Sequence, residues 1–296
     1  MGEFLSIRIL QQDGIISIDS ERYITDMADE LFPGGVHASY EVPSTDELHK
    51  LVTEASLAKV VPEAGLLKRF GHVVMMELFV ATVTRPEAAW AIGMLTRVLA
   101  YPNEKLMLAA ERIAIYLYRT RELKIRYQPT ASSRVRGDWA PSAGPVTDGL
   151  SDASFEQSRS TSGYVYFFAM AAIAWVVKKQ ASIALSSFEA EIMAGSLAAC
   201  EGVFLRGILG DVGFPQDMPT VLRMDNTGAI DVANDPVNHA KSKHILRREL
   251  HIRELIEAGV ITAKYVKSAD NTADIFTKHL ARVPFQKHRS TLYNTL

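Results

Sequence analysis

The sequence predicts an α/β domain built on a mixed sheet in the C-terminal half, preceded by a mostly α-helical region. Three observations predict it. Apolar residues recur at helical spacing from about residue 45 to 123. The stretch 129–149, PTASSRVRGDWAPSAGPVTDG, is rich in Pro, Ser and Gly and reads as an exposed linker. Beyond it, β-rich runs alternate with helical ones, the pattern of an α/β domain with a mixed sheet.

Composition sets the bounds. With 296 residues, 48% hydrophobic and 22% charged, the chain can bury a sizeable core, and its length suggests two domains. The single cysteine, Cys200, excludes an internal disulfide framework and points to a reducing, intracellular setting. The uncharged run 163–177 is too short to span a bilayer as a helix, and Glu3 and Arg8 interrupt any signal-peptide core. A net charge of −2 does not announce a nucleic-acid binder, so such a role needs a local basic stripe.

The elements follow in order. Residues 5–18 predict a hairpin with Asp13-Gly14 at the turn. Tyr23, Ile24, Met27 and Leu31 mark a helix over 20–32. Breaks at Pro62, at Arg85-Pro86 and at Pro102-Asn103 divide the helical region into about four antiparallel helices. After the linker come a strand ending near Asp152, two strands over 163–168 and 172–178, and a long helix from Ser186. A strand at 220–225, a short helix, a helix over 239–259 with Gly259 as its C-cap, a strand at 260–266 and a last helix beginning in NTADIFTK complete the order.

Four acids fall at strand ends and helix starts in this outline: Asp152, Glu191, Asp225 and Asp274. That placement is what a two-metal phosphoryl-transfer site demands. Magnesium takes oxygen ligands, and two such ions roughly 4 Å apart activate a water and stabilise a leaving oxygen. The plainer reading of each acid alone is a solvated charge or a helix cap.

The segments SDAS, RSTSGYVYF, AIAWVVKKQASIALSSFEAEIMA, MDNTGAI, HAKSKHILRRELHIRE and NTADIFTKHL, in that order, resemble the ribonuclease H domain of copia-type retrotransposon Pol polyproteins. Upstream, FLSIRI resembles the strand that closes a reverse-transcriptase palm, and residues 81–120 resemble the helical thumb after it. The resemblance implies residues 1–33 as the end of the palm and the first thumb helix, 34–128 as a thumb-like region, 129–148 as linker, 149–282 as a ribonuclease H-like domain and 283–296 as a tail. It implies a five-stranded mixed sheet whose central parallel strands carry Asp152 and Asp225. The substrate would be the RNA strand of an RNA–DNA hybrid, cut to leave a 3′-hydroxyl and a 5′-phosphate. Asp152, Glu191, Asp225 and Asp274 would bind two Mg2+ ions, with Mn2+ as a substitute. Asp270 competes for the last place, but the family motif Ala-Asp-Ile-Phe-Thr-Lys runs through Asp274. No Tyr-x-Asp-Asp motif is present, so the expectation is that this polypeptide does not synthesise DNA alone and partners missing fingers and palm. An intracellular place, in a virus-like particle or the nucleus, and no membrane go with that reading.

Glu189 and Glu191 open the same helix two residues apart, about 200° apart around it, and cannot share a face. With Ser186 as N-cap, Ser-x-x-Glu makes Glu189 the N3 partner of a capping box, leaving Glu191 for the sheet edge. Ser186, Ser187 and Asn226 are candidate nucleic-acid contacts. Lys241, Lys243, Arg247 and Arg248 form a basic patch suited to phosphates, or an ordinary solvated helix face. His239, His244 and His251 lack the paired cysteine of a zinc site. Trp175 and Tyr164 read as core residues or as sugar-stacking ones. The sequence departs from the family pattern at Phe188, at Thr227, at Ala169-Met170-Ala171 in the hairpin turn and in the short loop KSADNTA, which carries no histidine. The alternative to an active nuclease is a silent scaffold that binds nucleic acid or a polymerase partner.

Overall fold

The computed structural model describes residues 2–128, 147–156, 158–234 and 251–295. The chain divides into two compact units, Met1–Ile125 with His279–Gln286, and Arg126–Lys278 with Lys287–Leu296.

In the first unit, β1 (Gly2–Phe4), β2 (Ile7–Gln12) and β3 (Ile15–Asp19) form an antiparallel meander. Asp13 and Gly14 both have positive φ, 53° and 74°, which the tight β2–β3 turn requires. β4 (Ile125–Tyr127), at whose first residue the unit ends, completes the order β1-β2-β3-β4. Helices α1 (Glu21–Leu31), α2 (Leu48–Ala58), α3 (Ala64–Val83), α4 (Ala89–Thr96) and α5 (Glu104–Arg119) follow, with breaks where the prolines stand. Asn103 caps α5, its Oδ1 accepting from Leu106 N at 2.9 Å. Phe70, Ile92, Leu95, Ile113 and Leu117 are buried in the core. The Arg85-Pro86 break holds a buried ion pair: Arg85 Nη2 donates to Glu87 Oε1 at 2.7 Å and Nη1 to Leu117 O at 3.1 Å.

The second unit is built on a five-stranded mixed sheet. β5 (Asp148–Ser154), β6 (Thr161–Phe168) and β7 (Ala171–Lys179) are antiparallel neighbours, while β8 (Thr220–Met224) runs parallel to β5 and β9 (Ile261–Tyr265) parallel to β8. The spatial order is β7-β6-β5-β8-β9, the ribonuclease H-like arrangement expected. Ala169 and Met170 make the β6–β7 turn with φ of 47° and 72°, without glycine. Helix α6 (Ser187–Asp211) crosses the sheet, and Tyr166 Oη donates to its Ala198 O at 2.6 Å. α6 is long and apolar enough to cross a membrane by length and composition, yet 56% of that stretch is buried inside the fold. Helix α7 (Thr227–Asn234) follows β8, and residues 251–257 form helix α8, which ends before Gly259 at φ +67°.

One expectation is corrected. Asp274 does not open an α-helix. Ser268–Asp270 and Thr272–Phe276 are 3-10 turns, and the last helix, α9, spans Arg282–Tyr293. The turns prevail because side chains tie them to the sheet, as described below. The first unit's longer segment ends at Ile125, and Arg126 opens the second unit. Tyr127 Oη donates to Ala172 O at 2.8 Å and Gln128 N to Ala169 O at 2.9 Å, so this stretch belongs to the β6–β7 hairpin. The 283–296 segment is helical through Tyr293 and is shared by both units. Residues 129–146 of the expected linker lie outside the described residues.

Candidate active site

Parallel pairing of β5 with β8 sets up the site. The last aligned pair is Leu150–Arg223, so Asp152 and Asp225, each two residues further, emerge at the same sheet end. Glu191 reaches them from the second turn of α6. Ligand oxygens of Asp152, Glu191 and Asp225 lie within 4.8 Å of one another. Glu191 Oε1 accepts from Ala153 N at 3.3 Å, while Oε2 is buried with no hydrogen-bond partner among the described residues.

Asp274 joins the group through its neighbours. Lys278 Nζ lies 2.9 Å from Asp274 Oδ1 and 4.0 Å from Asp152 Oδ2. Thr277 Oγ1 donates to Asp152 Oδ2, and Ser268 Oγ donates to Asp225 Oδ2. Buried Asn271 donates from Nδ2 to Ser151 O at 3.0 Å and accepts from Ala273 N at 3.2 Å, fastening the turn that carries Asp274 beside β5. Gly163 on β6 permits the approach: a Cβ there would lie 2.7 Å from Thr277 Cγ2 and 2.8 Å from Phe276 Cβ. Asp270 points elsewhere, pairing with Lys287 Nζ, and buried His288 Nδ1 lies 3.3 Å from Thr272 Oγ1.

The electrostatics follow from crowding. Burial, then the charges of Asp152 and Asp225, push the Glu191 carboxyl up to about 9. Burial and Asp152 raise Asp274 to about 7, and burial raises Asp152 against the pull of Lys278. Burial opposes the charge on Lys278, but Asp152 and Asp274 outweigh it and raise its pKa. Such a group of hard oxygen donors, short of positive charge, suits a divalent cation.

The two glutamates separate as expected. Ser186 Oγ accepts from Glu189 N at 3.1 Å, and the Glu189 carboxylate accepts from Leu185 N at 2.7 Å. The return bond therefore goes to the residue before the cap, not to the cap's own N–H. Asn226 caps α7, its Oδ1 accepting from Ala229 N at 3.0 Å, and Ser187 is exposed. Lys241, Lys243, Arg247 and Arg248, with His239 and His244, lie outside the described residues. His251 Nε2 lies 3.4 Å from Cys200 Sγ. Tyr164 is buried in the core, with its hydroxyl donating to Glu201 at 3.0 Å. Phe188 packs on that core too, its ring 3.6 Å from where a Cβ on Gly228 would stand. Sequence reasoning missed Thr277, Lys278, Ser268 and Asn271 as members of the site; the signal for Lys278 was its i+4 spacing from Asp274.

No protein-family model matches the chain. It is 28% identical over 240 residues to the retrovirus-related Pol polyprotein from transposon TNT 1-94 of Nicotiana tabacum, covering 80% of this chain and 17% of that one. It is 30% identical over 211 residues to the retrovirus-related Pol polyprotein from transposon RE1 of Arabidopsis thaliana, covering 71% and 14%. The chain thus spans about a sixth of the length of these two Pol polyproteins. Among solved structures it is similar to ribonuclease H1 from the archaeon Halobacterium salinarum NRC-1, with 17% identity, 44% of this chain and 93% of that one covered, and a TM-score of 0.34.

Proposed function

Because this chain belongs to the retrovirus-related Pol polyproteins of copia-type transposons, we propose that its second unit is a ribonuclease H endonuclease that cuts the RNA strand of RNA–DNA hybrids. The observation that carries the reading is the convergence of Asp152, Glu191 and Asp225 within 4.8 Å, with Asp274 tied to the same group. Two Mg2+ ions, or Mn2+, held by these four carboxylates would supply a Lewis acid that activates water and offsets charge at the leaving oxygen. The rest falls to the protein's own groups. Thr277 and Ser268 orient Asp152 and Asp225 by hydrogen bonds, and Ala153 N fixes one oxygen of Glu191. The buried second oxygen of Glu191 has no donor among the described residues, which suits a ligand position. Ser186 and exposed Ser187 at the head of α6, Asn226 at the head of α7, and the segment with Lys241, Lys243, Arg247 and Arg248 are proposed to meet the nucleic acid. Within a longer polyprotein the partner would be the polymerase fingers and palm, acting inside the cell.

A labelled RNA–DNA hybrid with Mg2+ tests this. The RNA strand should be cut to 5′-phosphate and 3′-hydroxyl ends, duplex DNA should survive, and Asp152→Asn should abolish cutting. Hybrid retention with no cutting by the unaltered chain would support the second reading, a silent scaffold. Equal cutting of duplex DNA would refute the hybrid-specific assignment, since RNA is told from DNA by its 2′-hydroxyls. Phe188 gives the scaffold little support, because its ring packs on the core.

A further inference from the structure

We propose that Lys278 is a resident counter-ion of the carboxylate cluster, competing with divalent cations for Asp152 and Asp274 and so setting how much of the ion is needed to fill the site. The inference rests on the metal-dependent reading above. Its ammonium is 2.9 Å from Asp274 Oδ1 and 4.0 Å from Asp152 Oδ2. This is not an ordinary surface i,i+4 pair. The side chains of Asp274 and Asp152 are only 11% and 5% exposed, whereas that of Lys278 is 47% exposed.

The acids are fixed and the lysine is not. Thr277 holds Asp152, Asn271 holds the Asp274 turn, and both acids lie in the fold. The lysine approaches from the solvent side on a flexible four-carbon stem with a compact charge. A divalent cation bound by the same carboxylates would stand within a few ångströms of that ammonium, and like charges at such range repel strongly in a partly buried site. Filling the site therefore requires the ammonium to swing outward, and its exposure leaves room for that. In the ion-free protein the lysine performs the opposite service, reducing the mutual repulsion of the acids.

The test is calorimetric titration of the whole ion-free chain with Mn2+, beside melting curves in chelator. Lys278→Met should bind Mn2+ about tenfold more tightly than the unaltered chain, and should melt lower when no ion is present. Lys278→Arg, which keeps the charge, should titrate close to the unaltered chain, and Lys278→Gln serves as a second neutral variant. Equal or weaker binding by both neutral variants overturns the inference. Should that happen while the unaltered chain still cuts hybrid, the proposed function stands and only the lysine's role falls. If the unaltered chain and Glu191→Gln take up Mn2+ identically, the cluster is not the metal site, and both proposals fall together.

Discussion

Replacing Glu191 by glutamine removes one buried titrating carboxyl and changes almost no volume. Burial and the facing Asp152 and Asp225 push this carboxyl from 4.5 to about 9 in the ion-free protein. A raised carboxyl pKa means that the folded state holds a proton which the unfolded chain has already released. The group's contribution is therefore most favourable below about pH 4.5 and declines as pH rises toward about 9. At pH 7 the interval above the unfolded value corresponds to a penalty of about 3 kcal/mol, at about 1.4 kcal/mol per pH unit. Glutamine takes up no proton on folding, so the substitution should recover part of that penalty, about 1–2 kcal/mol. The glutamine oxygen can still accept from Ala153 N, and its amide can donate toward the neighbouring acids. In a domain of this size the gain corresponds to a melting temperature about 3–6 °C higher. Scanning calorimetry in chelator at pH 7.5 should show that rise, and the same pair of scans at pH 4 should nearly coincide. Added Mg2+ should stabilise the unaltered protein by mass action and the variant far less, while hybrid cleavage by the variant falls by orders of magnitude. A variant that melts lower at pH 7.5, or whose advantage is the same at both pH values, would refute the electrostatic account.

Two further outcomes are expected. Glu189→Ala removes the acceptor for Leu185 N and should destabilise by about 1 kcal/mol. Glu189→Gln should do much less, and both should keep most cleavage activity in time courses. Gly163→Ala would force a methyl against Thr277 and Phe276, lowering stability by about 1–3 kcal/mol. It should also depress cleavage by shifting the Asp274 turn, whereas a change in melting with full activity would separate that turn from the site.

What could be read from the sequence was governed by local signals. Asp13-Gly14, the proline breaks and the Ser186 cap act over a few residues, and each produced the structure its chemistry favours. The acids were legible because their positions at strand ends matched a known order of motifs. The turn around Asp274 was not, since it is shaped by Asn271 reaching Ser151, 120 residues away in sequence. The hairpin at Ala169-Met170 carries no glycine signal; cross-strand pairing of β6 with β7 imposes a positive φ on both residues. The partners of Tyr127 and Gln128 were not legible for a similar reason, because they exist only once β6 and β7 have paired.

The path of the chain near its end bears on what can be cut from it. It leaves the five-stranded unit directly after Lys278 and returns at Lys287, with residues 279–286 counted in the other unit. Those returning residues are the ones that grip the acidic loop, Lys287 on Asp270 and His288 on Thr272. A fragment ending at residue 282 would carry the complete acid quartet and none of that grip. Proteolysis at that point would keep the acid quartet and remove its brace, so a fragment that retains both extends through α9.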